Sequence, residues 1–221
     1  IWGADHQGHV SRVKTALKTL GSNPDSLDVL LYQLVSLRRG EEIVPLSKRA
    51  GEIITLRNVI DEVGSDAARF FFLSSSANQT MDFDLELATA QSQDNPVYYI
   101  QYAHARVCSV QRQLAEKGLV FDEASGLQSL ERLTTQHERG LLMQLAQYPR
   151  GIEIAALRYE PHQLATYLQE LASRFQSYYN AERFIVEDVD LMHARLCLIK
   201  SVQVVIRNGL SLLGMSAPEK M

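Results

Sequence analysis

Asp94-Asn95-Pro96-Val97-Tyr98-Tyr99-Ile100-Gln101-Tyr102-Ala103-His104-Ala105-Arg106 is the stretch on which the architecture turns. Asn95 offers a side-chain acceptor at an N-cap, and Pro96 stands at the first helical position, where its missing N–H donor costs nothing. Ile100, Ala103, Val107, Val110 and Leu114 then return at three- and four-residue steps, one face of a helix that Gly118 stops. Beyond this start every apolar pattern is helical. Helices are expected over 127–148, broken near Pro149-Arg150-Gly151, and over 161–179, with Leu164, Leu168, Leu171 and Phe175 inward. A last one spans 190–213, with Leu191, Leu198, Val202, Val205 and Leu212 inward and Gly214 as its stop.

Before Asn95 the pattern is mixed. Val10, Val13, Leu17 and Leu20 predict a helix over 9–20 ended by Gly21, and Asn23-Pro24-Asp25 reads as a turn. The nearly unbroken apolar run Val29 to Leu37 reads as a strand buried on both faces, as in parallel sheets. Arg38-Arg39-Gly40-Glu41-Glu42 reads as an exposed hairpin-like turn, and Ile43-Val44 and Ile53-Ile54 flank the loop 45–51. Thr55 can cap a short helix through Glu62 that Gly64 ends, and Asp66 starts another through Leu73. From about Asp84 onward only helices are expected. The fold class that follows is an α/β portion over 1–80, a connecting segment over 81–94 and an all-α bundle over 95–221, mostly α overall. The bundle segment is long enough for a core of its own.

Composition narrows the function. Of 221 residues 46% are apolar and 22% charged, no long uncharged apolar run exists, and no basic-then-apolar leader opens the chain, so neither a membrane span nor export is expected. The first residue is Ile1 rather than Met, and the chain reads as a piece of a longer protein. Cys108 and Cys197 share no CxxC spacing, which excludes a zinc knuckle or disulfide framework and leaves two small core residues in a reducing compartment. A net charge of −4 argues against a general polyanion binder, so any nucleic acid must meet a local basic surface.

Three groups of residues could carry chemistry. Ser47-Lys48-Arg49-Ala50-Gly51 places a lysine on a loop between strands, able to meet a phosphate, although the pentapeptide alone reads better as a solvated surface turn. Gly3-Ala4-Asp5-His6-Gln7-Gly8-His9 opens at a strand end, where open α/β sheets hold ligands, and Asp5 is also placed to be a helix N-cap. Tyr99, Tyr102 and Arg106 share a narrow arc of the helix after Asn95, where rings and a guanidinium could stack unpaired bases, or merely cover the bundle edge.

Pro45-Leu46-Ser47-Lys48-Arg49-Ala50-Gly51, then Ile54-Thr55-Leu56 and Glu62-Val63-Gly64-Ser65-Asp66-Ala67-Ala68-Arg69-Phe70, resemble the second signature region of class I aminoacyl-tRNA synthetases. Asp82-Phe83-Asp84, the stretch Asp94 to Arg106, Ala194-Arg195-Leu196, Asn208 to Gly214 and Ala217 to Met221 extend the likeness to the bacterial-type arginyl-tRNA synthetases over the whole chain. The resemblance implies the last section of a Rossmann-type class I catalytic domain followed by an anticodon-binding domain. Lys48 matches the second lysine of the KMSKS signature, which binds ATP phosphates, and Ser47 its serine, while Pro45 and Leu46 replace the first lysine and the methionine. His6-Gln7-Gly8-His9 has the letters of the HxGH signature but lies too near Lys48. It matches instead the family's GADH segment, which implies Gly3, Asp5 and His6, with Gly51, in the ATP and adenylate pocket.

By the same resemblance Tyr99, Tyr102, Arg106, Tyr179 and Met221 contact the anticodon. Gln101 and His104 belong to the same motif but fall nearer the opposite edge of the helix, where they are expected to pack against the catalytic portion. The implied reaction joins arginine to tRNA(Arg) with ATP, used as its Mg2+ complex, giving AMP and pyrophosphate. No tightly bound cofactor, no resident metal and no membrane are expected, and a cytoplasmic monomer is. Without the HxGH half the chain alone is expected to be inactive. The cysteinyl type shares a related helical domain, but its zinc-binding Cys/His set has no counterpart here. A non-catalytic anticodon-binding or scaffolding module is the alternative.

Overall fold

A computed structural model of the chain describes residues 1–44 and 54–221. Ser47, Lys48 and Gly51 lie outside the described residues. Strand β1 (Trp2–Gly3) leads through a helical turn, Ala4–His6, into α1 (Gln7–Thr19), and Gly21, at φ 79°, lets the chain leave that helix. β1 pairs in parallel with β2 (Leu31–Tyr32). β3 (Val35–Arg39) pairs antiparallel with β4 (Glu42–Val44) across the turn at Gly40, φ 60°, and parallel with β5 (Met81–Asp84), in the order β4-β3-β5.

Two readings of this part need correction. The run 29–37 is not one strand buried on both faces. It breaks at Gln33-Leu34, where the Gln33 N–H turns to donate to the Ala77 carbonyl at 2.9 Å, and its halves enter separate sheets. Only Leu37 is buried, while Leu34 is 68% exposed. β5 is a strand inside the segment read as connecting, and its signal is the two-residue alternation of buried Met81 and Phe83 with exposed Asp82.

The helices that follow β4 obey their caps. α2 (Leu56–Val63) starts in a capping box in which the Thr55 N–H donates to Asn58 Oδ1 at 3.0 Å and the Asn58 N–H donates to Thr55 Oγ1 at 3.2 Å. α3 (Ser65–Ser74) buries Ala67, Ala68, Phe70 and Phe71, and the Phe71 ring meets Phe83 edge-on at 5.4 Å. α4 (Leu85–Thr89) is capped by Asp84.

Asn95 caps α5 (Pro96–Glu116) as expected, accepting from the Tyr98 N–H, and its amide also donates to the Ala88 and Ala90 carbonyls at 3.0 and 2.9 Å. The single helix expected over 127–148 is instead α6 (Glu123–Gln128), a turn at Leu130–Arg132 and α7 (Gln136–Ala146). Thr135 and Glu138 form a capping box that starts α7 afresh. The break expected near Pro149 falls at Gln147, where α7 ends, and Pro149 sits in the first turn of the next helix, α8 (Tyr148–Arg158). α9 (Pro161–Ala181) and α10 (Val189–Leu212) run as read, except that Leu191 and Val205 are only half-buried and Leu212 is 57% exposed.

α5, α9 and α10 form the centre of the bundle, with Ile100, Val107, Leu168, Leu171, Phe175, Val202, Ile206 and Leu210 closed to solvent. Each such side chain contributes about 1.5–3 kcal/mol by leaving water. α3 packs on α9 and α5, so one apolar cluster continues from Phe70 and Phe83 into the bundle. α6 lies so close on α10 that a Cβ at Gly126 would sit 2.5 Å from the His193 carbonyl oxygen. Both cysteines are buried, free thiols.

Glu138, with no exposed surface, joins three helices. Its Oε1 accepts from Arg195 Nε at 2.9 Å and the Tyr178 hydroxyl at 3.0 Å, and its Oε2 accepts from the Thr135 N–H at 2.9 Å. Arg195 also donates to Glu182 at 2.8 Å and to the Arg183 carbonyl at 2.7 Å, which satisfies the buried guanidinium. Burial alone would raise the Glu138 pKa, but the bonds from Thr135 and Tyr178 and the Arg195 charge outweigh it and hold the carboxyl below its usual value. Burial and the Glu138 charge push the Tyr178 hydroxyl upward. Among the described residues no helix is long and apolar enough to cross a membrane.

Candidate functional site

One surface of the bundle gathers cations and aromatic rings. Along α5, Tyr98, Tyr102 and Arg106 stand four residues apart, so their side chains lie one above another. The Tyr98 and Tyr102 rings are nearly parallel, with centroids 6.2 Å apart. The Arg106 guanidinium sits between two rings, 4.6 Å from the centroid of Tyr102 and 4.5 Å from that of Tyr179 on α9. The cation thus lies over the negative faces of two rings. Its edges are also held, since Nη1 donates to Gln176 Oε1 at 2.6 Å and Nη2 to the Tyr102 hydroxyl at 3.2 Å.

Beside this stack opens a cleft of about 430 Å³ lined by Tyr102, Arg106, Arg112, Tyr179, Lys220 and Met221, with Ala105 and Ser109 as its small floor. Three of these side chains are cationic and none is a carboxylate, a local reversal of the chain's net charge of −4. The size suits a small ligand or one unstacked base. Lys220 and Met221 arrive on a segment without regular secondary structure, 215–221, that runs back over α5. Gln101 Nε2 donates to the Ser216 carbonyl at 3.0 Å, His104 Nδ1 lies 2.9 Å from the Pro218 carbonyl and Arg112 Nη1 donates to the Glu219 carbonyl at 3.1 Å.

The structure therefore brings together Tyr102, Arg106, Tyr179 and Met221 of the residues singled out in the sequence. Tyr99 is not among the residues lining the cleft; it is half-buried against the apolar core, and Tyr98 takes the place on the stack. Sequence reasoning passed over Tyr98, Gln176, Arg112 and Lys220. The four-residue spacing of Tyr98, Tyr102 and Arg106 was the signal for the first. Nothing in the sequence placed Lys220 against a helix more than 100 positions earlier. Gln101 lies, as read, on the α/β side of α5, where its Nε2 donates to Asp66 Oδ2 of α3 at 2.8 Å.

A second candidate site sits at the end of β1. Ile1, Trp2, Gly3, His6 and His9 line an open cleft of about 600 Å³, and the His6 and His9 rings are 5.7 Å apart. Asp5 is not the N-cap of α1, because the turn Ala4–His6 intervenes and His6 takes that position with no side-chain cap bond. The Asp5 carboxylate instead stays 61% exposed, 3.6 Å from His6 Nε2. Gly3 is close-packed there, since an added Cβ would run into the Asp5 carboxylate. Among the described residues no group of three or more His, Cys, Asp or Glu side chains is arranged to hold a metal ion.

The sequence profile of the DALR anticodon binding domain family matches residues 100–221, which contain every residue lining the α5–α9 cleft. The chain belongs to that family. The DALR domain and what precedes it are together similar to arginine–tRNA ligases. That of Thioalkalivibrio sulfidiphilus is 56% identical and that of Legionella pneumophila strain Corby 54% identical over all 221 residues, which span 38% of the length of each relative. Among solved structures, the Thermus thermophilus arginyl-tRNA synthetase superposes on the whole chain with a TM-score of 0.75 at 26% identity, using 40% of its own length. A Campylobacter jejuni structure named as an arginyl-tRNA synthetase does so with 0.86 at 32% identity, using 47%. In the DALR domain of this chain the cationic cleft is thus the candidate RNA contact.

Proposed function

We propose that this chain is the part of an arginine–tRNA ligase that docks the anticodon of tRNA(Arg) and carries one loop of the ATP site. The observation behind the first half is the Tyr102–Arg106–Tyr179 cluster beside a cleft lined by cationic side chains and no carboxylate side chain, in an anticodon-binding family. An unpaired base packs in the cleft against the exposed surface of Tyr102 or Tyr179, Arg112 and Lys220 meet its phosphates, and Met221 lines the same cleft. Arg106 acts chiefly to hold the two rings in place, because it lies over both of them.

In the complete enzyme Lys48, steadied by Ser47, meets the ATP phosphates as arginyl-adenylate forms, with Mg2+ entering on the nucleotide. Gly3, Asp5, His6 and Gly51 contribute to the adenylate pocket, where the exposed Asp5 carboxylate can accept ribose hydroxyls or pair with the cationic substrate. The second step passes the arginyl group to the tRNA, and the enzyme acts as a cytoplasmic monomer.

Titration of labelled anticodon stem-loops against the chain tests the reading. Arginine anticodons are expected to bind in preference to others, and Tyr102→Ala and Tyr179→Ala each to lose about 1–3 kcal/mol of binding with the helical circular dichroism unchanged. Indifference to the anticodon, or full affinity in both variants, overturns it. The chain alone should give no arginine-dependent ATP–pyrophosphate exchange, and any such exchange refutes the assignment of only part of the active site to it.

A further inference from the structure

Asp66 belongs to the α/β portion, in the first turn of α3, and lines no part of the RNA cleft. Its Oδ2 nevertheless accepts from Gln101 Nε2 at 2.8 Å, from the Ser216 N–H at 3.1 Å and from the Ser216 hydroxyl. Farther along the segment, the Pro218 carbonyl can only accept, so His104 Nδ1 carries the proton and donates to it. Arg112 fastens the Glu219 carbonyl. At about 1.5 Å of rise per residue, Gln101 and Arg112 are roughly 16 Å apart along α5. The segment is therefore a strap pinned at Ser216, Pro218 and Glu219, and the next two residues are the Lys220 and Met221 of the cleft.

A segment without helix or strand hydrogen bonds loses conformational entropy at each residue that is fixed, so side-chain bonds must hold it in register. We propose that Asp66 is a positioning residue for RNA binding: through Ser216 and Gln101 it sets the register of the strap and so the placement of Lys220 and Met221. The α/β portion then shapes a site it does not touch. This rests on the anticodon-docking reading above. A carboxylate in a first helical turn also favours its own helix, and the test separates the two roles.

Amide hydrogen exchange and stem-loop affinity are measured on the 221-residue chain carrying Asp66→Ala or Gln101→Ala. Each variant is expected to speed exchange at the strap amides about tenfold while α10 amides keep their protection. Affinity should fall about fivefold, Met221→Ala should add little in the Asp66→Ala background, and Asp66→Asn should recover part of the loss because its amide oxygen still accepts. Unchanged strap exchange in both variants overturns the proposal, as does an affinity loss that persists in full when the chain is cut after Met215. Failure of the docking reading looks different: the strap loosens, yet Tyr102→Ala and Tyr179→Ala bind stem-loops as the parent does.

Discussion

Helix α10 buries 13 of its 24 residues, whereas α1, which has 13, buries none. The same contrast runs through the two regions. The bundle closes many side chains to solvent, Leu168, Leu171, Phe175 and Ile206 among them, although Val120 and Leu157 are at least 75% exposed. The α/β portion closes few and leaves Ile1, Leu34, Ile43 and Leu56 at least 60% exposed. Its sheets are short, and its best-buried residues, Phe70 and Phe83, belong to the cluster that continues into the bundle. Stability in this molecule is therefore graded, and the bundle is the reference against which the rest opens.

The contrast breaks most sharply at Glu138. Glu138→Ala leaves the buried Arg195 guanidinium without its counter-charge and frees the Tyr178 hydroxyl. A loss of about 3–5 kcal/mol is expected in urea unfolding followed by circular dichroism. An unchanged midpoint would mean that the three helices do not depend on this junction.

The acid limb of stability sharpens the same point more gently. Because the folded-state pKa of Glu138 is lowered, its contribution is present in full above the unfolded value of about 4.3 and drains away as pH falls through the folded value. Glu138→Gln should flatten the urea midpoint across that window, and a wild-type slope there would disprove the linkage.

The smallest effect belongs to α1. Leu20, 81% exposed at its end, should tolerate Leu20→Ala within about 0.5 kcal/mol. Trp2, the one tryptophan, reports on this region, and its fluorescence should change at lower urea than the helical signal. Coincident transitions would erase the distinction between the regions.

The bundle was legible wherever a cap and a period agreed: Asn95-Pro96 before α5, Pro161 before α9 and Gly214 after α10. The capping box at Thr135 and Glu138 and the helix-starting role of Pro149 carry their information in one or two residues, and there the apolar periodicity on either side gave no warning. β5 was masked by its neighbours, because four alternating residues are too few to stand out before a helical stretch. The run 29–37 misled because apolar content says nothing of where a strand must change sheets. For the cleft, spacing along α5 was readable, but it picked Tyr99 where the stack uses Tyr98. The strap depends on hydrogen bonds to carbonyls, which no side-chain pattern encodes.

The engagement of Arg106 has an ionic consequence. A guanidinium lying over two rings and bonded to Gln176 is already partly committed, so Arg112 and Lys220 are the cations expected to carry most of the phosphate contact. Single-stranded RNA held there through about two phosphates would release about 1.4 ions, so the logarithm of its affinity should fall with the logarithm of salt at a slope near −1.4. On the proposed reading, a net negative chain holds RNA chiefly through ring contact and keeps its grip as ionic strength rises.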